Sequence, residues 1–337
     1  MITVLQSFPS SAPHTNPYLT QLVANLPADI TTLGWSWRTA LFGRYDVLHL
    51  HWPEVLFRRA ALLRGAAHQA LFALLMLRVA ASRIAIVRTV HNPTPHEPGG
   101  ALERWLLGWC TRQTDLWIGL NDTTELPNEG SSVVIPIGHY RDHYPHAAPS
   151  EPVRGRLLYF GLVRRYKGVL RLIDAFRDLS EPAATLRLLG QPNSEDLRQA
   201  IELASRDDPR IGVELRYIED DSLVRNIGQA ELVVLPYAQM HNSGALLLAL
   251  SLDRPVVVPE TPVTLALAEE VGPGWLMTYR GELTSAILSL GLQRARADQR
   301  RGRPNLEARN WQRVAALHRT AYLAAVGQVE SRVGRRD

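Results

Sequence analysis

The sequence predicts an α/β protein of two domains, each with a mostly parallel sheet and helices on both faces. Short apolar runs rich in β-branched residues alternate with longer helical patterns along the whole chain, an order typical of parallel sheets. The length of 337 residues suits two domains that each bury a core. Two polar loops, 161–168 and 236–244, each follow an apolar strand and precede a helix, as the ligand-binding loops of such sheets do.

The N-terminal domain is predicted to span 1–150. Residues 143–154 are rich in Pro, His and Ala and lack periodicity, so we place the domain boundary there. Apolar periodicity predicts strands over 2–7, 46–50, 84–90, 116–120 and 133–137, and helices over 17–24, 57–83 and 103–113.

The C-terminal domain, 151–308, is predicted to continue the same alternation, and a last segment, 309–337, follows it. The patterns predict strands over 157–160, 186–189, 213–217, 232–235 and 256–259. Helices are predicted over 169–179, 195–206 and 245–252, with a short one after 221 and a last one over about 306–326. The last helix carries apolar and aromatic side chains on one face: Trp311, Val314, Leu317 and Tyr322.

The composition indicates a globular protein of the cytoplasm. Apolar residues make up 46% and charged residues 21%, and no apolar run reaches the roughly 18 residues that a membrane span needs. Met1 leads directly into the first strand, so we expect no signal peptide. The single cysteine, Cys110, excludes an internal disulfide and a cysteine-based metal site. The 37 Lys and Arg, almost all Arg, favour anionic partners such as a nucleotide diphosphate or lipid headgroups.

The loop after the 157–160 strand is basic and suits a diphosphate. Gly161 ends the strand, and Arg164, Arg165 and Lys167 follow before Gly168 opens the next helix. Arg offers a planar fork to phosphate and Lys a point charge. A solvated basic loop without a ligand is the alternative interpretation.

The loop after the 232–235 strand ends in a capping sequence. Asn242, Ser243 and Gly244 stand at the predicted start of the 245–252 helix. Asn and Ser are preferred caps, Gly lets a ligand approach the backbone, and free amides at a helix N-terminus bind phosphate. An ordinary capped βαβ unit is the alternative for this loop alone, but two such loops on one sheet favour a phosphate ligand.

These two loops resemble those of GT-B glycosyltransferases. GLVRRYKG before a helix is similar to the loop that opens the family's C-terminal domain, and 242–244 with RPVV at 254–257 resembles its later loop. The resemblance implies two Rossmann-like domains, with Arg164 and Lys167 on the donor diphosphate and residues 242–244 on its other face. It also implies an acceptor-binding N-terminal domain, no cofactor and no obligatory metal. A final helix that packs back on the first domain is implied too, with a plain amphipathic helix as the alternative.

One departure from the family pattern concerns its catalytic carboxylates. Many members carry two Glu eight positions apart, and Met240 and Leu248 stand at those positions, while Asp253 replaces the usual Gly. The chain therefore resembles a divergent branch, similar to bacterial exopolysaccharide and glycolipid enzymes that transfer β-linked sugars with inversion.

Two polar loops of the N-terminal half supply candidates for the catalytic base. HLHWPE, 49–54, and TVHNPTPHE, 89–97, each follow a predicted strand at its carboxyl end. Inverting transfer needs a base that takes the proton of the acceptor hydroxyl. The predicted catalytic residues are Glu54 as base, His91 near the donor sugar, and Glu97.

Further binding residues are predicted around these loops. Asn16, His51 and His96 are expected on the acceptor side, and Glu219 and Asp220 at the base or ribose of the nucleotide. The histidines have alternatives: buried structural hydrogen bonding, or a zinc site of His49, His51, His91 and His96, which no supporting motif favours.

The predicted activity is transfer of a hexose, such as mannose, from a GDP- or UDP-sugar to a saccharide or lipid-linked acceptor in polysaccharide or glycolipid biosynthesis. The Arg-containing apolar stretch 55–78 is interpreted mainly as a core-facing helix, with its first two turns on the inner face of the membrane. Two rivals stay open: a nucleotide-sugar epimerase using Glu54, Glu97 and Glu260, and a non-catalytic binding subunit. Nucleic acid is not expected as a partner, because the basic residues are spread out.

Overall fold

The chain forms two compact units in the computed structural model. Contacts divide it into unit 1, Met1–Gly138 with Ala308–Asp337, and unit 2, His139–Glu307. The structure describes residues 1–9, 16–58, 62–91, 99–127, 130–144, 151–237, 240, 242–297 and 302–333.

Unit 1 contains a six-stranded sheet in which every pairing is parallel, in the order β2-β1-β3-β4-β5-β6. Its strands are β1 Ile2–Gln6, β2 Ile30–Leu33, β3 Val47–Leu50, β4 Ala85–Val90, β5 Leu116–Gly119 and β6 Ser131–Val134. Its helices are α1 Pro17–Asn25, α2 Trp37–Phe42, α3 Pro53–Phe57, α4 Leu62–Ala80, α5 Ala101–Gln113 and, from the end of the chain, α12 Trp311–Val333.

The C-terminal helix α12 belongs to the core of unit 1. Trp311, Val314 and Tyr322 are fully buried against α1 and one face of the sheet. Two ion pairs anchor its outer side, Arg319 to Asp29 and Arg332 to the buried Asp115. The opposite face of the sheet is covered by a second apolar cluster that includes residues of α4 and α5.

Unit 2 contains the second parallel sheet, in the order β12-β11-β10-β7-β8-β9. Its strands are β7 Arg156–Phe160, β8 Thr185–Leu189, β9 Ile211–Glu214, β10 Leu232–Val234, β11 Val256–Pro259 and β12 Leu276–Tyr279. Its helices are α6 Val169–Arg177, α7 Glu195–Ser205, α8 Asp220–Gln229, α9 Gly244–Ser251, α10 Pro262–Val271 and α11 Ser285–Arg296.

The strand order of each sheet reverses once. In unit 2 the chain builds β7, β8 and β9 outward and then returns to place β10 on the other side of β7. In unit 1 the reversal lies between β1 and β3. Ligands of open parallel sheets bind outside the carboxyl ends of the strands at this switch point, so the fold directs attention to the loops after β7, β10, β1 and β3.

The predicted α/β class is confirmed, while several element bounds are wrong. The helix predicted over 57–83 is replaced by α3, which ends at Phe57, and α4, which starts at Leu62. Pro53 explains the early start of α3, because proline is preorganised for the first helical position. The strands predicted over 133–137 and 213–217 lie two residues earlier, as β6 and β9. The elements absent from the prediction are β2, α2, α10, β12 and α11.

Candidate functional site

The two loops predicted to bind phosphate touch each other in unit 2, because β7 and β10 are neighbours in the sheet. Gly168 closes the first loop with φ +68°, a conformation that L side chains rarely adopt. A Cβ at this position would lie 2.5 Å from the carbonyl oxygen of Pro236, in the second loop. Glycine is therefore required where the two loops meet.

Lys167, the only lysine of the chain, lies between these loops. Its Nζ is 4.7 Å from the centre of the Tyr237 ring, so the ring face stabilises the ammonium. Burial, together with the charge of Arg164, lowers the pKa of Lys167 to about 8. A half-buried cation with no carboxylate partner among the described residues is suited to an anionic ligand.

The N-terminus of α9 forms the other side of this site. The Ser243 hydroxyl accepts a hydrogen bond from the Leu246 amide, which caps the helix. The amides of Gly244 and Ala245, in the same turn, have no acceptor within the helix. Gly244 is exposed and Asn242 and Ser243 are half-buried, so a ligand can reach this helix end.

The remaining residues predicted to bind the donor lie at separate positions of unit 2. Arg164 is half-buried and directly precedes the short 3₁₀ helix Arg165–Lys167. Glu219 and Asp220 are exposed at the start of α8, where they follow β9. All of these residues follow carboxyl ends of strands in the same sheet, but among the described residues no hydrogen bond or ion pair joins Glu219 or Asp220 to Arg164.

The two positions that carry Glu in many GT-B enzymes are apolar and buried here. Met240 and Leu248 are 4% and 9% exposed. The Met240 carbonyl oxygen accepts a hydrogen bond from the Thr261 hydroxyl at 3.5 Å, so this stretch is held by its backbone. Neither side chain can transfer a proton or bind a ribose hydroxyl through a carboxylate.

In unit 1, a buried polar network lies at the carboxyl ends of β1, β3 and β4. His51 Nδ1 is 3.1 Å from His91 Nε2, and His51 Nε2 is 3.3 Å from Gln6 Oε1. His91 stacks on Trp52, with ring centres 4.0 Å apart and planes 21° from parallel. Packing thus fixes the orientation of the His91 ring.

His49 extends this network to the C-terminal helix. Its Nδ1 is 2.8 Å from the Tyr322 hydroxyl and its Nε2 is 2.8 Å from the Thr89 hydroxyl. His49 of β3 and His51, just after the strand, lie side by side with ring centres 4.2 Å apart, as strand alternation predicts. His318 of α12 lies behind them and bonds the Val314 carbonyl through Nδ1.

The imidazoles of this network are neutral at physiological pH. Burial lowers the pKa of His91 to about 3 and that of His318 to about 4. Burial also lowers the pKa values of His49 and His51 well below the ordinary value, with neighbouring histidines adding to the effect. Such weakly basic rings are suited to orienting neighbours by hydrogen bonds more than to taking a proton.

Both ring nitrogens of His49 and of His51 have protein partners, which argues against the zinc alternative. A metal would have to displace Thr89, Tyr322 or Gln6 from these rings. Among the described residues, no group of three or more His, Cys, Asp or Glu is arranged to hold a metal ion.

A cavity of about 400 Å³ opens beside this network in unit 1. Glu54, in the first turn of α3, lines it together with His51, His91 and Trp52. Arg88 also lines it, with its Nη1 3.2 Å from the Thr111 hydroxyl and its guanidinium 5.0 Å from the Trp117 ring centre. The structure therefore brings two of the predicted catalytic residues, Glu54 and His91, to one cavity.

The other predicted residues of unit 1 are divided among the cavity wall, the start of α1 and segments outside the described residues. Asn16 caps α1, since its side-chain oxygen accepts a hydrogen bond from the Tyr18 amide at 3.0 Å. His51 is buried in the cavity wall. Glu97 and His96 lie outside the described residues.

Sequence reasoning missed the residues that support the two sites. Gln6, the last residue of β1, and Thr89, the residue before the last of β4, place polar side chains in apolar runs, a signal present in the sequence. Tyr322 is on the apolar face of the last helix, so its hydrogen-bonding role has no sequence signal. Tyr237 ends the β10 run, and only the fold places its ring against Lys167.

The family of the chain follows from comparison with known proteins. Residues 154–291 match the family described as "Glycosyl transferases group 1". Two proteins of Xanthomonas campestris pv. campestris named GDP-mannose:glycolipid 4-beta-D-mannosyltransferase are 46% identical to this chain over 327 residues. The matched part covers 97% of this chain and 93% of theirs.

Solved structures show the same fold at low sequence identity. HepE from Anabaena, in complex with UDP and glucose, superposes with a TM-score of 0.61 at 14% identity, covering 99% of this chain and 100% of that one. Sucrose-phosphate synthase from Thermosynechococcus elongatus gives 0.56 at 15% identity, with 99% of both chains covered. The chain is therefore a glycosyltransferase with the GT-B fold and belongs to the family of the glycolipid mannosyltransferases.

Proposed function

We propose that the chain transfers a mannosyl residue from GDP-mannose to a membrane glycolipid, with inversion at the sugar carbon. The observation that carries this proposal is the 46% identity, over nearly the whole chain, to enzymes whose name specifies that donor, a glycolipid acceptor and a beta product. A nucleotide-linked α-mannose that becomes a β-mannoside has been inverted in a single displacement.

Unit 2 would hold the donor. In this proposal Lys167 and Arg164 neutralise the diphosphate from one side, and the amides at the start of α9 bind it from the other. These groups stabilise the negative charge that grows on the departing diphosphate, so the transfer needs no cofactor. Glu219 and Asp220 are proposed to contact the base or ribose.

Unit 1 would bind the acceptor and supply the base. Glu54 is half-buried beside the neutral His91, and a carboxylate there can take the proton of an acceptor hydroxyl. The low pKa of His91 favours Glu54 over the imidazole as base, and leaves His91 to orient a sugar by hydrogen bonding. The Trp52 ring offers an apolar surface for a sugar face.

The test of this assignment is transfer of labelled mannose from GDP-mannose to extracted glycolipid. Glu54→Gln is expected to lower kcat by roughly 10²- to 10⁴-fold while GDP binds as before, because only the proton transfer is lost. Glu125→Gln, at the other carboxylate of the same cavity, is the comparison. A larger loss at Glu125 than at Glu54 would reassign the base.

A membrane-facing surface of unit 1 is also proposed, because a glycolipid acceptor is presented at a bilayer. Residues 65–77 of α4 contain no Asp, Glu, Lys or Arg, and Leu74 and Leu77 are 52% and 55% exposed. On the adjacent α5, Trp105 is 55% exposed. None of the described helices is both long and apolar enough to cross a bilayer.

The charge around these helices supports contact with anionic lipid. Between residues 47 and 114 the chain has eight Arg and three Glu, with no Asp or Lys, a balance of +5. Exposed Leu and Trp beside Arg are typical of helices that lie in the headgroup region. The sequence alone predicts membrane contact only for the first two turns of 55–78. The proposed contact surface consists instead of exposed residues of α4 and α5.

Vesicle sedimentation tests the proposed surface. The protein should sediment with phosphatidylglycerol vesicles more than with phosphatidylcholine vesicles, and Leu74→Glu with Leu77→Glu should remove most of that binding. Leu203→Glu, at a 64% exposed leucine of α7 in unit 2, is the matched control. Equal sedimentation of the double variant and the control would reject this surface.

A further inference from the structure

Tyr140, near the start of unit 2, lies along helix α9. Its backbone amide donates a hydrogen bond to the Ser251 hydroxyl at 2.9 Å, and that hydroxyl donates to the Leu247 carbonyl at 2.7 Å. Ser251 is the last residue of α9. The backbone of Tyr140 is thus fixed at the C-terminal end of the helix.

The hydroxyl of Tyr140 reaches the opposite end of the same helix. An ideal Cβ on Gly244, the first residue of α9, would lie 3.3 Å from Tyr140 Oη; apart from the adjoining residues and the α9 backbone, no other atom of the described residues comes within 4 Å of that position. Tyr140 is 6% exposed. Tyr140 therefore lies alongside α9, with its amide bonded to the side chain of the last helical residue and its hydroxyl beside the first, exposed one.

This hydroxyl makes no hydrogen bond within the part of the chain that the structure describes. The Tyr140 residue is buried, but its hydroxyl is not among the fully buried polar atoms that lack a partner, so the hydroxyl reaches the accessible helix end, where a ligand can accept its hydrogen bond. Glycine at position 244 leaves the hydroxyl accessible, because the Cβ of any other residue there would lie 3.3 Å from Tyr140 Oη.

We propose that Tyr140 is a donor-binding residue whose hydroxyl donates a hydrogen bond to the diphosphate held at the N-terminus of α9. The inference rests on the proposed function, because it takes a nucleoside diphosphate as the ligand of this helix end. Tyr140 adds a hydroxyl donor to the side chains of Lys167 and Arg164 and to the amides of Gly244 and Ala245.

The electrostatics of Tyr140 suit this role. Burial raises its pKa to about 12, so the group stays a neutral O–H donor throughout the physiological range and brings no negative charge to the phosphate. Its side chain is held by packing along α9, so little rotational freedom is lost when the ligand binds.

Calorimetric titration of GDP into Tyr140→Phe tests the proposal. The variant keeps the ring and removes the hydroxyl, and the Kd for GDP is expected to rise by about 10- to 150-fold, the range of one hydrogen bond to a charged group. Tyr279→Phe is the matched control, since Tyr279 is a similarly buried tyrosine of unit 2, on the outer strand β12. The control should bind GDP like the wild type.

Two outcomes separate this inference from the proposed function. Unchanged GDP affinity in Tyr140→Phe, together with lost affinity in Lys167→Ala, would overturn the role of Tyr140 and leave the diphosphate site in place. A wild-type protein that binds no nucleoside diphosphate would overturn both. If Tyr140→Phe does not fold, Gly244→Ala covers the hydroxyl with a methyl group, and wild-type affinity in that variant also overturns the proposal.

Discussion

At the scale of single residues, Lys167 links the sequence to the proposed chemistry most directly. It is the only lysine among 37 basic residues, and the fold half-buries it against the ring of Tyr237. An ordinary surface lysine stays in solvent and avoids the free-energy cost of removing its charge from water. Lys167 bears part of that cost, which indicates a binding role.

The lowered pKa of Lys167 predicts a pH-dependent affinity for GDP. Since the free protein loses this positive charge as the pH rises through about 8, affinity should be full below pH 8 and fall by up to about tenfold per pH unit above it. Calorimetry between pH 7 and 9 measures this. Lys167→Arg, whose guanidinium stays charged, should give a nearly flat profile, and a flat wild-type profile would contradict the assignment.

A second residue-scale prediction concerns Tyr322. Tyr322→Phe removes the hydroxyl that serves His49 Nδ1 and Gln6 Nε2, and leaves two buried polar groups without it. The free energy of unfolding should fall by about 1–3 kcal/mol for each group left unpaired. Urea unfolding followed by tryptophan fluorescence reports on unit 1, which holds seven of the eight tryptophans.

Tyr45→Phe is the comparison for Tyr322→Phe. The Tyr45 hydroxyl donates to the Ala40 carbonyl, which also accepts from Arg78 at 2.7 Å, so that carbonyl keeps a partner in the variant. The loss at Tyr45 should therefore be smaller, about 0.5–1.5 kcal/mol. A larger loss at Tyr45 than at Tyr322 would show that the network contributes little to stability.

At the scale of elements, the docking of α12 depends on buried neutral histidines. His318, on α12, has an Nε2 with no hydrogen-bond partner in the described chain, and burial lowers the pKa of this ring to about 4. His49, His51 and His91 have pKa values lowered by the same cause. The histidines that lie between α12 and the strands are therefore neutral in the folded protein.

This arrangement predicts that unit 1 loses stability in acid. Each folded pKa lies below the unfolded value of about 6.5, so the unfolded chain takes up more protons as the pH falls below 6.5. Stability is full above pH 6.5 and should fall by up to about 1.4 kcal/mol per pH unit for each histidine. His318→Leu should reduce the slope between pH 7.5 and 5 by one proton, and an unchanged slope would contradict the prediction.

How much of each element the sequence predicts depends on its pattern. The loop 161–168 and residues 242–244 are readable because glycine, basic residues and caps each signal a local conformation. β12 and α11 are not marked by such residues. The stretch 57–83 is mostly apolar, so the sequence does not show that α3 and α4 are separate helices. Contacts of Tyr140, Tyr237 and Tyr322 arise only from the fold, because each touches residues far away in the chain.

At the scale of the whole molecule, the two units divide the proposed chemistry. Unit 2 has the cation, the helix end and the tyrosine hydroxyl that suit a diphosphate, and unit 1 has the carboxylate and cavity that suit an acceptor. Met240 and Leu248 are buried apolar residues at the positions of the family's usual carboxylates, so the catalytic base is proposed to come from unit 1.

Unit 2 is proposed to bind the diphosphate of GDP-mannose through Lys167. The most direct measurement is calorimetric titration of GDP, GDP-mannose and UDP into the wild type and into Lys167→Ala. The guanine nucleotides are expected to bind in preference to UDP, and the affinity of the variant for GDP is expected to fall at least tenfold. Absence of binding at millimolar GDP, or equal binding by the variant, would contradict the proposal.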